Sequence, residues 1–138
     1  MTDVVVLGWQ QRIRDAAASG RPLRIRGGGS KDFYGQEPVG ELLDTTPLAG
    51  IVDYDPTELV LTARAGTPLA EVERVLTDAG QMLAFEPPHF GPGATLGGTV
   101  AAGLSGPRRP YSGAVRDLVL AALDARGQPE VRAGIDHV

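Results

Sequence analysis

Apolar and polar positions follow two periods along this chain, and the changes of period mark its elements. In residues 2–19, Val5, Val6, Trp9, Ile13 and Ala16 or Ala17 recur at helical spacing. Asp3 is placed to cap that helix and Gly20 to end it, while Gly8 inside it costs about 1 kcal/mol relative to alanine. Pro22 then opens Leu23-Arg24-Ile25-Arg26, which alternates like a strand. Residues 32–47 read as loop, broken by Gly35, Pro38, Gly40 and Pro47. Residues 48–54 and 59–65 read as two strands around the turn Asp55-Pro56-Thr57-Glu58, which suggests a hairpin. The strongest helical pattern follows. Thr67 suits the N-cap, Pro68 the first turn, Leu69, Val72, Val75, Leu76 and Ala79 one apolar face, and Gly80 the end. Residues 81–85 fit a short strand and residues 114–123 a longer one, followed by a turn at 124–127. Residues 129–138 show no clear pattern.

Composition changes this picture in one respect. The 138 residues include 19 glycines and 11 prolines, about 22% together against a usual ~12%. Yet 42% of the chain is hydrophobic, so a core can form and the glycines belong to loops within a folded domain. Much of the excess falls in residues 27–29 and in the long irregular segment 86–113, and such loops in compact domains usually carry function.

Charge and residue counts exclude several classes. A net charge of −4 argues against a polyanion-binding surface, and 5% aromatics are too few for a base-stacking platform. The absence of cysteine excludes disulfides, thiolate metal sites, iron–sulfur ligation and cysteine nucleophiles. With only His89 and His137, a multi-histidine metal site is not expected. No basic segment followed by an apolar run opens the chain, and residues 94–104 are too short to span a bilayer. The expectation is a soluble cytoplasmic protein.

Two glycine clusters carry the candidate chemistry. Gly27-Gly28-Gly29-Ser30-Lys31 follows a strand directly, so successive N–H groups can converge on an anion, with the Ser30 hydroxyl and Lys31 charge beside them. The same residues also fit a plain glycine-rich turn. Residues 93–103, with Thr95, Leu96, Gly97, Gly98 and Thr99, fit a short buried helix whose N-terminus faces a diphosphate, or a close-packed small-residue helix. Neither cluster matches the dinucleotide or Walker patterns: Asp32 stands where the third glycine of G-x-G-x-x-G belongs, and no glycine precedes Lys31 directly. His89 lies in a proline-flanked loop and reads as a surface or satisfied residue before a base. Ser105 lacks the G-x-S-x-G context of hydrolases. Arg108-Arg109 read as solvated, or as contacts to a phosphate or a partner.

Taken in order, Arg26-Gly27-Gly28-Gly29-Ser30-Lys31, Leu43-Asp44-Thr45, Ala65-Gly66-Thr67, Gly80, Gly93-Ala94-Thr95-Leu96-Gly97-Gly98, Ser105-Gly106-Pro107, Tyr111-Ser112-Gly113 and Arg116-Asp117 resemble the FAD-binding domain of the p-cresol methylhydroxylase and vanillyl-alcohol oxidase (PCMH/VAO) type. Within that family the resemblance is nearest to the FAD-binding subunit of bacterial glycolate oxidases. It implies an α+β domain of two small α/β subdomains with FAD between them. By the same resemblance, Gly27, Gly28, Gly29 and Ser30 form the first diphosphate loop with Lys31 at its edge. Thr95, Leu96, Gly97 and Gly98 hold the second side. Ala102, Ser105 and Gly106 line the cofactor channel, and Tyr111 to Gly113 lie near the adenine–ribose part. Covalent relatives often carry histidine where Ser30 stands, so non-covalent FAD is implied.

Members of the family continue well past this length. The expectation is therefore a C-terminally incomplete FAD domain over residues 1–123, with residues 124–138 a divergent tail open to disorder. The implied reaction is oxidation of a 2-hydroxy acid to the 2-oxo acid. Electrons would pass through flavin to a catalytic flavin subunit and an iron–sulfur subunit. No residue is assigned as a catalytic acid or base. The alternatives are a truncated, non-catalytic flavin-binding fragment and an unrelated small-molecule module that reuses glycine nests.

Overall fold

A computed structural model of the chain describes residues 4–122 and 130–137. Helix α1 (Val4–Ala18) leads into β1 (Leu23–Arg26), which pairs in parallel with β2 (Glu41–Asp44). Arg12 ties α1 to this pair: its guanidinium donates to the Glu41 carboxylate at 2.7 Å and to the Leu42 carbonyl at 2.5 Å. Of the apolar positions expected on α1, Val6 and Ala16 are buried, while Ile13 stays exposed. The strand β2 corrects the expectation of loop over residues 32–47. Glu41-Leu42-Leu43-Asp44 has no alternation of its own, and only Leu43 is buried. The strand forms because β1 offers it a ladder, continued by the Thr45 N–H on the Arg26 carbonyl at 2.9 Å.

The second layer is an antiparallel sheet. β3 (Ile51–Asp55) and β4 (Val60–Arg64) make the expected hairpin. At its turn the Asp55 carboxylate accepts the N–H groups of Thr57 and Glu58, and these bonds hold its pKa below the usual carboxylate value. The hairpin is locked to β5 (Gln81–Leu83) by Gln81, which is buried, donates to the Pro56 carbonyl at 2.7 Å and accepts the Tyr54 hydroxyl. β7 (Glu130–His137) pairs with β4, β5 and β6 (Val119–Ala122), giving the order β3-β4-β7-β5 with β6 also on β7. Residues 124–138 are expected as a divergent tail, but residues 130–137 of that stretch form this strand. Residues 123–129 and 138 lie outside the described residues.

Helix α2 (Leu69–Asp78) covers the sheet as its pattern predicts. Leu69, Val72 and Leu76 are fully buried among Leu61, Ala63, Leu83, Phe85, Leu96 and Val115, each worth about 1.5–3 kcal/mol of burial. Gly80 ends it with φ +69. Thr67 does not cap it. Its hydroxyl accepts the Gly50 N–H at 2.9 Å and donates to the Arg64 carbonyl at 2.7 Å, fastening the start of β3 to the end of β4. Residues 114–123 are not one strand either. Val115–Leu118 make a helical turn, α5, before β6. Asp117 causes it by bonding back: its N–H donates to the Ala114 carbonyl at 2.9 Å and its carboxylate accepts the Ala114 N–H at 3.3 Å.

Two substitutions test this account by urea unfolding. Thr67→Val keeps the shape of a fully buried side chain but leaves the partly buried Gly50 N–H without its partner, and should destabilise by about 1–3 kcal/mol, with Thr67→Ser restoring most of it. Gly8→Ala, exposed in the middle of α1 with nothing within 4 Å of the added carbon, should stabilise by about 1 kcal/mol.

Candidate functional site

The end of β1 and the short helix α3 (Leu96–Ala102) face each other across a groove of about 310 Å³. One wall is residues 25–32, and the other is Thr95, Gly98, Ala101 and Ala102. The first glycine cluster therefore does meet the second. Their contact is backbone on backbone. A Cβ on Gly28 would fall 1.4 Å from the Gly93 carbonyl oxygen, and one on Gly27 would fall 2.7 Å from the Thr95 hydroxyl.

The loop wall is rich in unused donors. Among the described residues, the N–H groups of Gly27 through Lys31 donate to no protein acceptor. A row of such groups in a concave surface suits an anion. The flanking charges are balanced: Arg26 binds Asp32 through Nε at 3.1 Å and Nη2 at 2.8 Å. That bonding holds Asp32 below the usual carboxylate range and raises Arg26. Lys31, also on this wall, has no ion-pair partner among the described residues. The loop rests on the end of β2, where the Thr45 hydroxyl donates to the Arg26 carbonyl at 3.2 Å. The Asp44 carboxylate fixes that end by accepting the Thr46 N–H at 3.0 Å and the Thr46 hydroxyl at 2.8 Å. The backbone bond is the larger cause of its lowered pKa.

The helical wall is held differently. The Leu96 N–H donates to the Thr67 carbonyl at 2.9 Å and the Gly97 N–H to the Ala65 carbonyl at 2.8 Å. The Gly98 N–H donates to the Thr95 hydroxyl at 3.1 Å and the Thr99 N–H to the Thr95 carbonyl at 2.9 Å. The first turn of α3 thus spends its donors on the protein and supplies shape to the groove. Thr95 is buried, and its own hydroxyl proton has no acceptor among the described residues.

The remaining sequence-derived positions divide clearly. Leu96 is buried in the core, and Gly97 lies against Ala65, where a Cβ would sit 2.8 Å from its side chain. Ser105 is buried and accepts the Val115 N–H at 3.0 Å, and the Gly106 backbone packs on the Glu86 carbonyl. Tyr111, in the helical turn α4 (Arg109–Ser112), is 93% exposed, and Gly113 ends that turn with φ +86. None of Ser105, Gly106, Tyr111 and Gly113 lines the groove. His89 is satisfied, with Nε2 at 2.9 Å from the Glu73 carboxylate, and Arg108 is paired with Glu86. Glu73, Glu86 and Arg108 line a second cleft of about 370 Å³ with Met82, Phe85 and Pro87. Ile25, 73% exposed on the groove wall, and Ala101 line the groove although the sequence placed them only in a strand and in the second cluster, not among the site residues. Ile25 had a signal, as the apolar residue nearest the glycine run.

Comparison with known proteins gives the chain's family and fold. The family model described as "FAD binding domain" matches residues 9–128. Glycolate oxidase subunit GlcE of Escherichia coli (strain K12) is 56% identical over 110 residues, covering 80% of this chain and 31% of that protein. The chain therefore spans about a third of the curated relative. Two crystal forms of alkyldihydroxyacetonephosphate synthase superimpose with TM-scores of 0.67 and 0.68 at 20% and 21% identity. Each covers 89% of this chain, and the chain covers 29% and 28% of those structures. The chain belongs to the FAD-binding domain family, and its α+β fold is of the PCMH type.

Gly28→Ala should destabilise by about 3 kcal/mol, because neither backbone can retreat without opening the groove. Thermal unfolding checks this. Asp44 supplies a pH test. Its lowered folded pKa means its contribution is present above the unfolded value of about 3.9 and is lost as pH falls through the lower, folded value. Asp44→Asn should therefore flatten the acid limb of the stability profile below about pH 4 and leave its neutral limb parallel to the wild type, as read by urea midpoints.

Proposed function

We propose that this chain binds FAD non-covalently in the groove between the Gly27–Lys31 loop and α3, as the FAD-binding part of a glycolate oxidase-like oxidoreductase. The observation that carries the reading is the row of free N–H groups along the glycine wall of the groove. These donors suit a diphosphate, with the Ser30 and Thr95 hydroxyls and the Lys31 charge at its edge. Gly98, Ala101, Ala102 and Ile25 give the groove a small and partly apolar lining, suited to the flat and uncharged portions of the cofactor. Leu96 and Gly97 act through packing, by fixing α3 against Ala65 and the core. FAD is larger than this groove, and the reading assigns Ser105, Gly106, Tyr111 and Gly113 to the borders of its extension.

Flavin, when bound, supplies the two-electron chemistry. This chain supplies binding and orientation. Among the described residues the groove holds no free carboxylate or imidazole to act as acid or base, since Asp32 is engaged by Arg26. Ser30, where covalent relatives carry histidine, offers no ring nitrogen for a flavin link. The name of the Escherichia coli relative supports glycolate, or another 2-hydroxy acid, as the electron donor, with the 2-oxo acid as product. Its designation as a subunit supports assembly into a glycolate oxidase-like complex. The partners implied by the family resemblance are a catalytic flavin subunit and an iron–sulfur subunit, and the cluster would belong to the partner because this chain has no cysteine. Among the described residues no helix is long and apolar enough to cross a membrane, which is compatible with a cytoplasmic site of action.

The full chain, incubated with FAD and desalted, should keep a flavin absorbance spectrum, and acid precipitation should leave all the flavin in the supernatant. Gly28→Ala should abolish retention, and Lys31→Ala should weaken it by roughly tenfold, about 1.4 kcal/mol. Wild-type chain that takes up no FAD would sink the proposal, and flavin trapped in the acid pellet would overturn its non-covalent part.

A further inference from the structure

We propose that Arg26 and Asp32 form a latch that holds the Gly27–Lys31 loop in its donor-presenting shape before any ligand arrives, Arg26 acting on the loop and not on the anion. The inference rests on the reading of this loop as the diphosphate site. Arg26 is the last residue of β1 and Asp32 the first residue beyond the cluster, so their side chains join the two ends of the loop. The contact is two-pronged, with Nε at 3.1 Å and Nη2 at 2.8 Å from Oδ2, and Nε also 3.3 Å from Oδ1. A planar guanidinium held this way fixes direction as well as distance. The backbone closes the same ring, through the Asp32 N–H on the Gly29 carbonyl at 3.2 Å.

Gly29 shows that the loop is shaped around the guanidinium. It has φ +73, and a Cβ there would lie 2.0 Å from Arg26 Nη2. The guanidinium therefore lies close against the one residue of the loop whose backbone conformation and missing side chain both make room for it. Neighbouring charges favour the pair, with Asp44 on the Arg26 side and Arg24 on the Asp32 side.

The side chains of the pair are 40% and 59% exposed. An ion pair so open to water adds little to global stability. What it can do is restrict a glycine run that would otherwise sample many conformations, and so lower the ordering cost of binding.

Direct contact between Arg26 and the anion would behave differently, and Asp32→Asn separates the two. If Arg26 touched the phosphate, releasing it from Asp32 would tighten binding. If it is a latch, Asp32→Asn and Arg26→Ala should each weaken FAD binding by roughly fivefold. The exchanged double variant Arg26→Asp/Asp32→Arg should recover most of the affinity. Backbone 15N order parameters of the ligand-free chain give a readout that does not depend on FAD. At residues 27–31 they should fall from about 0.85 toward about 0.6 in each single variant and recover in the exchanged pair, at an unchanged melting temperature. Tighter binding in Asp32→Asn, or unchanged loop order in Arg26→Ala, would overturn the latch. Variants that show this loss of order beside a wild-type chain that takes up no FAD would keep the latch and remove the diphosphate reading.

Discussion

The groove exists because two stretches of bare backbone touch. Gly28 lies against the Gly93 carbonyl so closely that a single added carbon would occupy the same space as the oxygen. The rest of the site is arranged around that contact. On one side β2 supports the loop through Thr45 and Asp44, and on the other the β4–α2 junction fastens α3 through the carbonyls of Ala65 and Thr67. The two layers of the fold, a parallel strand pair with α1 and an antiparallel sheet with α2, meet the groove from opposite sides.

On the proposed reading an acidic chain can offer an anion site, because oriented N–H dipoles and one lysine supply the attraction without a basic field. The two walls also differ in kind. The loop leaves its donors unspent, while α3 commits its first-turn donors to the protein and contributes small side chains. A ligand with a charged middle and flat ends fits such a division better than a compact ion does.

What could be read from the sequence was whatever local physics decides. The apolar stripe Leu69, Val72 and Leu76 announced α2, and the turn at Asp55 announced the hairpin, because the residues responsible are neighbours. The glycine clusters stood out for the same reason. What could not be read depends on partners far away in the chain. Leu42 and Leu43 become strand only because β1 lies beside them, and Thr67 looks like a helix cap until Gly50 and Arg64 claim its hydroxyl. Asp117 turned an apparent strand into a helical turn by bonding to Ala114. Val131, Ala133 and Ile135 do alternate with Arg132, Gly134 and Asp136, but three apolar positions, one of them alanine, are too few to reveal a strand that three others use.

That strand has a consequence for how the protein comes into being. β7 is the final element to leave the ribosome among those described, yet it is the one to which β4, β5 and β6 are all hydrogen-bonded. Until it is synthesised, the edges of those strands have no ladder partner there, and contacts this distant in sequence are slow to form. The β1–β2 pair and its glycine loop, by contrast, emerge early and close over a short span. The nascent chain should therefore carry a half-built cofactor cradle beside an open sheet with exposed strand edges. Its exposure to misassembly is then set by the time taken to translate the stretch from β4 to β7.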